Sequence, residues 1–209
     1  MKYRLALFDM DSTLINEEII DELAASAGKK AEVSRITERA MRGELDFKSA
    51  LRERVALLKG LQESSLATVS SKVTFSEGAK ETIEKMKTLG MKVGVVSGGF
   101  HEVIDRVLSV LGLDLISANS LEVRAGVLTG RVIGPIIDAE GKKKTLVDFA
   151  QRNSIRLDET IAIGDGANDI GMIQAAGLGV SFRGKEVLNA HAAVVLENSM
   201  TEIFDYLTD

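Results

Sequence analysis

The chain has no cysteine and no tryptophan, a single proline (Pro135) and two histidines among its 209 residues. Without cysteine, disulfides and thiolate metal sites are excluded, and the composition fits a reducing compartment. His191 has no acidic or histidine neighbour at ligand spacing, and His101 reads as a surface or capping residue, so neither is assigned a role. No apolar run approaches the ~20 residues of a membrane-spanning helix. The longest near-run, Val127 to Ile137, is broken by Thr129, Arg131 and Pro135. The N-terminal apolar stretch ends at Asp9, too early for a signal peptide. An excess of basic residues is also missing. The 26 Lys+Arg against 31 Asp+Glu leave a net charge of −5, which disfavours nucleic acid and anionic membranes as partners. A soluble, cytoplasmic protein acting on a small molecule is expected, and 45% apolar residues suffice for a sizeable core.

What is present alternates. Short β-compatible runs occur at Tyr3 to Phe8, Lys92 to Ser97, Thr160 to Gly164, Gly177 to Phe182 and Ala192 to Leu196. Helical patterns lie between them: Ala79 to Leu89, Phe100 to Leu111, Lys143 to Arg152 and Asp169 to Ala176, with Met200 to Leu207 last. Such alternation predicts an α/β fold, a Rossmann-like parallel sheet with helices on both faces. Two segments depart from it. From Asn16 to about Val73 there is no convincing strand. The pattern there predicts three helices, Glu17 to Ala27 capped by Asn16, Ala31 to Arg42, and Phe47 to Lys59 capped by Asp46. Ser120 to Gly134 alternates as a β-hairpin turning at Ala125-Gly126. The expected division is an α/β core of residues 1–14 and 75–209 with a helical cap of residues 15–74 inserted in it.

Chemistry gathers at strand ends. The first strand runs into Asp9-Met10-Asp11, and alternation along an extended chain aims both carboxylates to one side. The third core run ends Gly164-Asp165-Gly166-Ala167-Asn168-Asp169. Parallel sheets bind ligands along their C-terminal edge, so Asp9, Asp11 and Asp165 form an expected oxygen-ligand set for a hard divalent ion, Mg²⁺. An isolated Asp-x-Asp is more often a solvated loop; it is the repetition at neighbouring strand ends that argues for a site. Ser97-Gly98-Gly99 opens the following helix and offers a hydroxyl and free amides as a phosphate seat. One of Lys142, Lys143 and Lys144 is within reach of that seat, although such a run is usually a solvated face.

In this order the segments Asp9-Met10-Asp11-Ser12-Thr13, Ser97-Gly98, a lysine of Lys142-Lys143-Lys144, and Gly164-Asp165-Gly166-Ala167-Asn168-Asp169 resemble the four motifs of the haloacid dehalogenase superfamily of aspartyl phosphotransferases. Val95 to Phe100 and the stretch Leu51 to Leu58 bring the chain closest to the branch that hydrolyses O-phosphoserine. The resemblance implies an aspartyl-phosphate mechanism. Asp9 is then the nucleophile and Asp11 the acid and base. Mg²⁺ is held by Asp9, Asp165 and the main-chain carbonyl of Asp11, with Asp169 orienting these ligands. Ser97, Gly98, Lys142 and Asn168 hold phosphoryl oxygens, Lys142 being the lysine whose spacing to the next helix fits the family. Glu18 would take the substrate ammonium and Arg54 its carboxylate, with Met41 and Phe47 walling the pocket. The family pattern does not extend to Gly134 to Asp138. The same core serves other phosphatases and phosphotransferases acting on other small phosphorylated metabolites. A phosphorylated receiver module shares the acidic pocket but has no use for a second Asp two residues on, nor for the helical insertion.

Overall fold

The structure, a computed structural model, describes residues 2–207; residues 1, 208 and 209 of the expected core lie outside it. Strand β1 (Leu5–Phe8) is followed by helices α1 (Ile19–Ser26), α2 (Lys30–Met41), α3 (Phe47–Ala56), α4 (Ser64–Ser70) and α5 (Ala79–Thr88). Then come β2 (Lys92–Phe100), α6 (His101–Leu108), the hairpin β3 (Leu115–Arg124) and β4 (Val127–Ile133), and α7 (Ala139–Arg152). The chain closes with β5 (Thr160–Gly164), α8 (Ile170–Ala175), β6 (Leu178–Phe182), α9 (Glu186–Asn189) and β7 (Val194–Leu196). The sheet order is β4-β3-β2-β1-β5-β6-β7, parallel except for the β3–β4 pair. It is an α/β fold of the kind the alternation predicts.

The apolar runs become central strands because both their faces are covered. Leu5, Leu7 and Val96 pack with Leu146, Phe149 and Ile173 on one face. Ala6, Phe8 and Val93 belong to the other, larger cluster, which also takes in Leu23, Val33, Leu51 and Val55 of the inserted helices. Phe8 pairs with Val95 on one side and Ile163 on the other, so β1 and β5 end side by side while β2 runs on past them to Phe100. The Asp9 N–H extends that ladder, donating to the Ile163 carbonyl at 2.8 Å. This register brings the ends of three distant segments to one edge.

Local signals explain most element ends. Asp46 caps α3, its carboxylate accepting the Ser49 N–H at 3.0 Å. The hairpin turns at Ala125 and Gly126, whose φ values of 49° and 76° suit the twist of a two-residue turn. Several expectations need correction. Asn16 does not cap α1; it sits three residues ahead of it, and its amide nitrogen donates to Thr74 Oγ1 and the Phe75 carbonyl. It thus ties the two strands of chain entering and leaving the insertion. Ser97-Gly98-Gly99 does not open the following helix but continues β2 to Phe100, with a register shift against β3 between Val96 and Phe100. The parallel segment of β3, from Leu115 to Asn119, escapes periodicity because it is only partly buried and its apolar and polar residues do not alternate. Helix α7 starts at Ala139 rather than Lys143, because Asp138 caps it through the Gly141 N–H. The short α4 and α9 carry no distinctive pattern, and the last helical segment, Met200–Tyr206, is a 3₁₀ helix. Among the described residues no helix is long and apolar enough to cross a membrane.

Candidate active site

After Asp9 the backbone leaves the sheet in a wide turn. Asp11 is extended (φ −64°, ψ 132°) and Ser12 is left-handed (φ 57°), an uncommon conformation for a residue other than glycine. The turn is held from outside the sheet: Ser12 Oγ donates to Glu18 Oε1 at 2.7 Å. Glu18 itself stands just before the first residue of α1.

At the end of β5 the chain folds back on itself. Asp169 is fully buried, and its carboxylate accepts the N–H groups of Asp165 and Gly166 at 3.2 and 3.1 Å. Gly164 makes this possible, since a Cβ there would lie 2.5 Å from the Asp169 carboxylate. The other Asp169 oxygen accepts from Lys142 Nζ at 2.7 Å, and the same ammonium lies 2.7 Å from Asp9 Oδ1. Of the three consecutive lysines, Lys142 alone is buried, whereas Lys143 and Lys144 are exposed.

One oxygen each of Asp9, Asp165 and Asp169 lies within 4.8 Å of the others. Burial raises the Asp9 carboxyl well above the usual carboxylate range, and Asp169 adds to it. Burial likewise raises Asp165. Burial alone would lower the Lys142 ammonium, but Asp9 and Asp169 outweigh it and hold its pKa above the ordinary lysine value. Three acids therefore share one buried cation, and the surplus is negative. A hard divalent cation fits this donor set of oxygens, and its charge would relieve the repulsion. Asp9 and Asp165 of the expected set belong to this cluster, and Asp169, expected to orient the ligands, joins them. The Asp11 carboxyl is pushed up to about 8, first by burial and then by Glu18. Its Oδ1 is buried and has no hydrogen-bond partner among the described residues.

These groups, apart from the fully buried Asp169, line a cavity of about 140 Å³. Asp9, Asp11 and Asp165 belong to the sheet edge and Lys142 reaches it from α7; Gly98 and Asn168 flank them. Glu18, Phe47 and Arg54 reach the same cavity from the inserted helices. Arg54 is pulled below the ordinary arginine value by burial, against Asp21, Glu18 and Asp11. Two expected residues are not on the wall. Met41 is 78% exposed at the end of α2, a helix whose buried contact is made by Val33, well before Met41. Ser97 is buried behind the wall, its Oγ accepting the Gly99 N–H at 2.8 Å.

Gly99 of the expected phosphate seat is on the wall, and three wall residues escaped the sequence: Ile20, Leu51 and Lys185. Lys185 was findable, because it follows the end of β6, the neighbour of β5. Asn119 also escaped. Its amide donates to the Gly98 carbonyl and accepts the Ile137 N–H, both at 2.8 Å, joining the β2 end to the loop before α7.

A strand-end aspartate pair, a buried lysine and a second acidic strand end under a helical insertion define a phosphotransferase-type site. The chain belongs to the haloacid dehalogenase-like hydrolase family, whose model matches residues 6–174. It is 47% identical to a phosphoserine phosphatase of Streptococcus thermophilus over 98% of this chain and 96% of that protein. It is 51% identical to the phosphoserine phosphatase of Archaeoglobus fulgidus, of which it spans 57% of the length. Among solved structures, a substrate-bound phosphoserine phosphatase complex and a phospho-aspartyl intermediate analogue of phosphoserine phosphatase each superpose with a TM-score of 0.92 at 42% identity, covering all of both chains.

Proposed function

We propose that this protein is a Mg²⁺-dependent phosphatase that hydrolyses O-phospho-L-serine to L-serine and phosphate. The observation that carries the reading is one cavity holding an Asp9–Lys142 pair on its floor and both Glu18 and Arg54 on its opposite wall. The floor suits a phosphoryl group, and the wall suits an ammonium and a carboxylate. A guanidinium grips a carboxylate with two parallel hydrogen bonds. The named relatives support the same reading.

Asp9 attacks phosphorus and the bond to the serine oxygen breaks, giving an aspartyl-phosphate. Asp11, kept protonated by its surroundings, donates its proton to the departing oxygen. Asp11 then takes a proton from water, which attacks phosphorus and frees both phosphate and Asp9. Asp9, Asp165 and Asp169 would hold Mg²⁺, which when bound neutralises charge on the phosphoryl oxygens. Lys142 orients the Asp9 carboxylate, while the main chain at Gly98 and the side chain of Asn168 face the phosphoryl group. Residues 15–74 act as a cap over the core of residues 1–14 and 75–209, excluding bulk water during the first step. The enzyme works in the cytoplasm, which the cysteine-free composition supports, and in serine biosynthesis, which the phosphoserine phosphatase relatives support.

The test is phosphate release, with Mg²⁺, from L- and D-phosphoserine, phosphothreonine, a sugar phosphate and an aryl phosphate. L-phosphoserine should give the highest kcat/KM. A sugar phosphate ahead of it would overturn the substrate. Full turnover by Asp9→Asn would overturn the mechanism.

A further inference from the structure

Lys185 has no part in the chemistry above, yet it lines the same cavity. Its base is anchored: the Lys185 N–H donates to the Asp165 carbonyl at 2.8 Å. The preceding Gly184 lies so close to Asp165 that a Cβ there would come within 3.1 Å of the Asp165 carbonyl oxygen. The head of the side chain is free by comparison. Nζ stands 3.7 Å from Asp165 Oδ2, beyond hydrogen-bond distance, and the side chain is 66% exposed.

Charge around the cavity makes that position matter. Asp9, Asp11, Glu18 and Asp165 all line it, so an approaching phosphate dianion meets four carboxyl groups. Two other cations line it as well. Lys142 is buried and already bonded to Asp9 and Asp169, and Arg54 belongs to the wall formed by the inserted helices. Lys185 is the cation on the sheet edge that is both solvated and unsaturated. Its flexible stem lets an ammonium follow an anion over several ångströms.

We propose that Lys185 is a phosphate-guiding residue, which draws the anionic end of the substrate to the sheet edge and holds inorganic phosphate before release. This rests on the phosphatase reading above. A solvated cation at the mouth of an acidic cavity acts mainly on encounter and escape, not on bond breaking.

The test compares Lys185→Met, Lys185→Arg and the parent protein, all with Mg²⁺. Calorimetric binding of inorganic phosphate should weaken about tenfold in Lys185→Met and recover in Lys185→Arg. The kcat/KM for phosphoserine should fall by a similar factor and lose part of its salt dependence, with kcat within about twofold of the parent. Inhibition by L-serine should stay unchanged. Unchanged phosphate binding overturns the proposal, as does an equal weakening of L-serine and phosphate. A matching loss of Mg²⁺ affinity also overturns it, since Lys185 would then act through Asp165. If phosphoserine is not the substrate, the phosphate calorimetry still reads the role of Lys185 independently.

Discussion

Lys142 and Asp169 meet at 2.7 Å with side chains that are 1% and 0% exposed. A pair so placed is costly to break from one side, because the partner is left as an uncompensated buried charge, at roughly 3–5 kcal/mol. Lys142→Met leaves three buried carboxylates without a cation. It should melt lower than the parent by on the order of 10 °C at pH 8 in the absence of metal, and by less at pH 5, where the acids take up protons. Equal melting points for variant and parent at pH 8 would show that the ammonium is not the counter-charge described here.

The pH dependence of stability follows from the raised acids. A carboxyl whose pKa is higher in the folded than in the unfolded chain binds more protons when folded, so its contribution to stability declines as pH rises between the two values. For Asp11 that window runs from its ordinary value of 3.8 to about 8; Asp9 and Asp165 shift in the same direction. The metal-free protein should therefore melt progressively lower from pH 5 to pH 8, and Asp11→Asn should flatten the slope. Added Mg²⁺ should raise the melting point most at pH 8. Thermal melts in EDTA and in Mg²⁺ across this range check it, and a rise in stability toward pH 8 without metal contradicts it.

Glu18 and Arg54 separate substrate choice from phosphoryl chemistry. Glu18→Ala and Arg54→Ala should each lower kcat/KM for phosphoserine by about 10²-fold or more, as expected when one partner of a charge-assisted contact is removed. Weaker turnover of an aryl phosphate, which has neither an ammonium nor a carboxylate, should largely survive. Steady-state kinetics on both substrates decide this. A parallel loss on both would make the two residues structural.

The inserted helices touch the core through a further pair, Lys48 Nζ and Asp138 Oδ2 at 2.9 Å. Lys48 follows Phe47, whose ring lies against Gly98, and Asp138 caps the helix that carries Lys142. With Lys48 half-exposed, the pair is worth roughly 0–1 kcal/mol. Lys48→Met should hardly move the melting point, yet raise KM for phosphoserine severalfold by favouring an open cap. Asp138→Asn, which keeps an N-cap side chain, should give the same effect, and the double variant should add little. Additive effects on KM would show that the two residues act separately.

The Asp9 and Asp165 strand ends were legible in the sequence because their signal is local: a short apolar run buried on both faces, then acid and glycine. The caps at Asp46 and the turn at Ala125-Gly126 are local in the same sense, since a few neighbouring residues decide them. What the sequence left open depends on rotation and distance. Which of three lysines enters the site follows from where α7 begins, and Asp138 sets that start through one hydrogen bond. That the Asp169 carboxylate lies beside those of Asp9 and Asp165 depends on the close approach allowed at Gly164. Met41 left the predicted pocket because a helix's phase is set by its packed face, and that face is at Val33. Asn119 and Lys185 each supply a single residue from a separate strand end. Only the order of the sheet brings Asn119 to Gly98 and Lys185 to Asp165, and a single residue carries no periodic trace of that pairing.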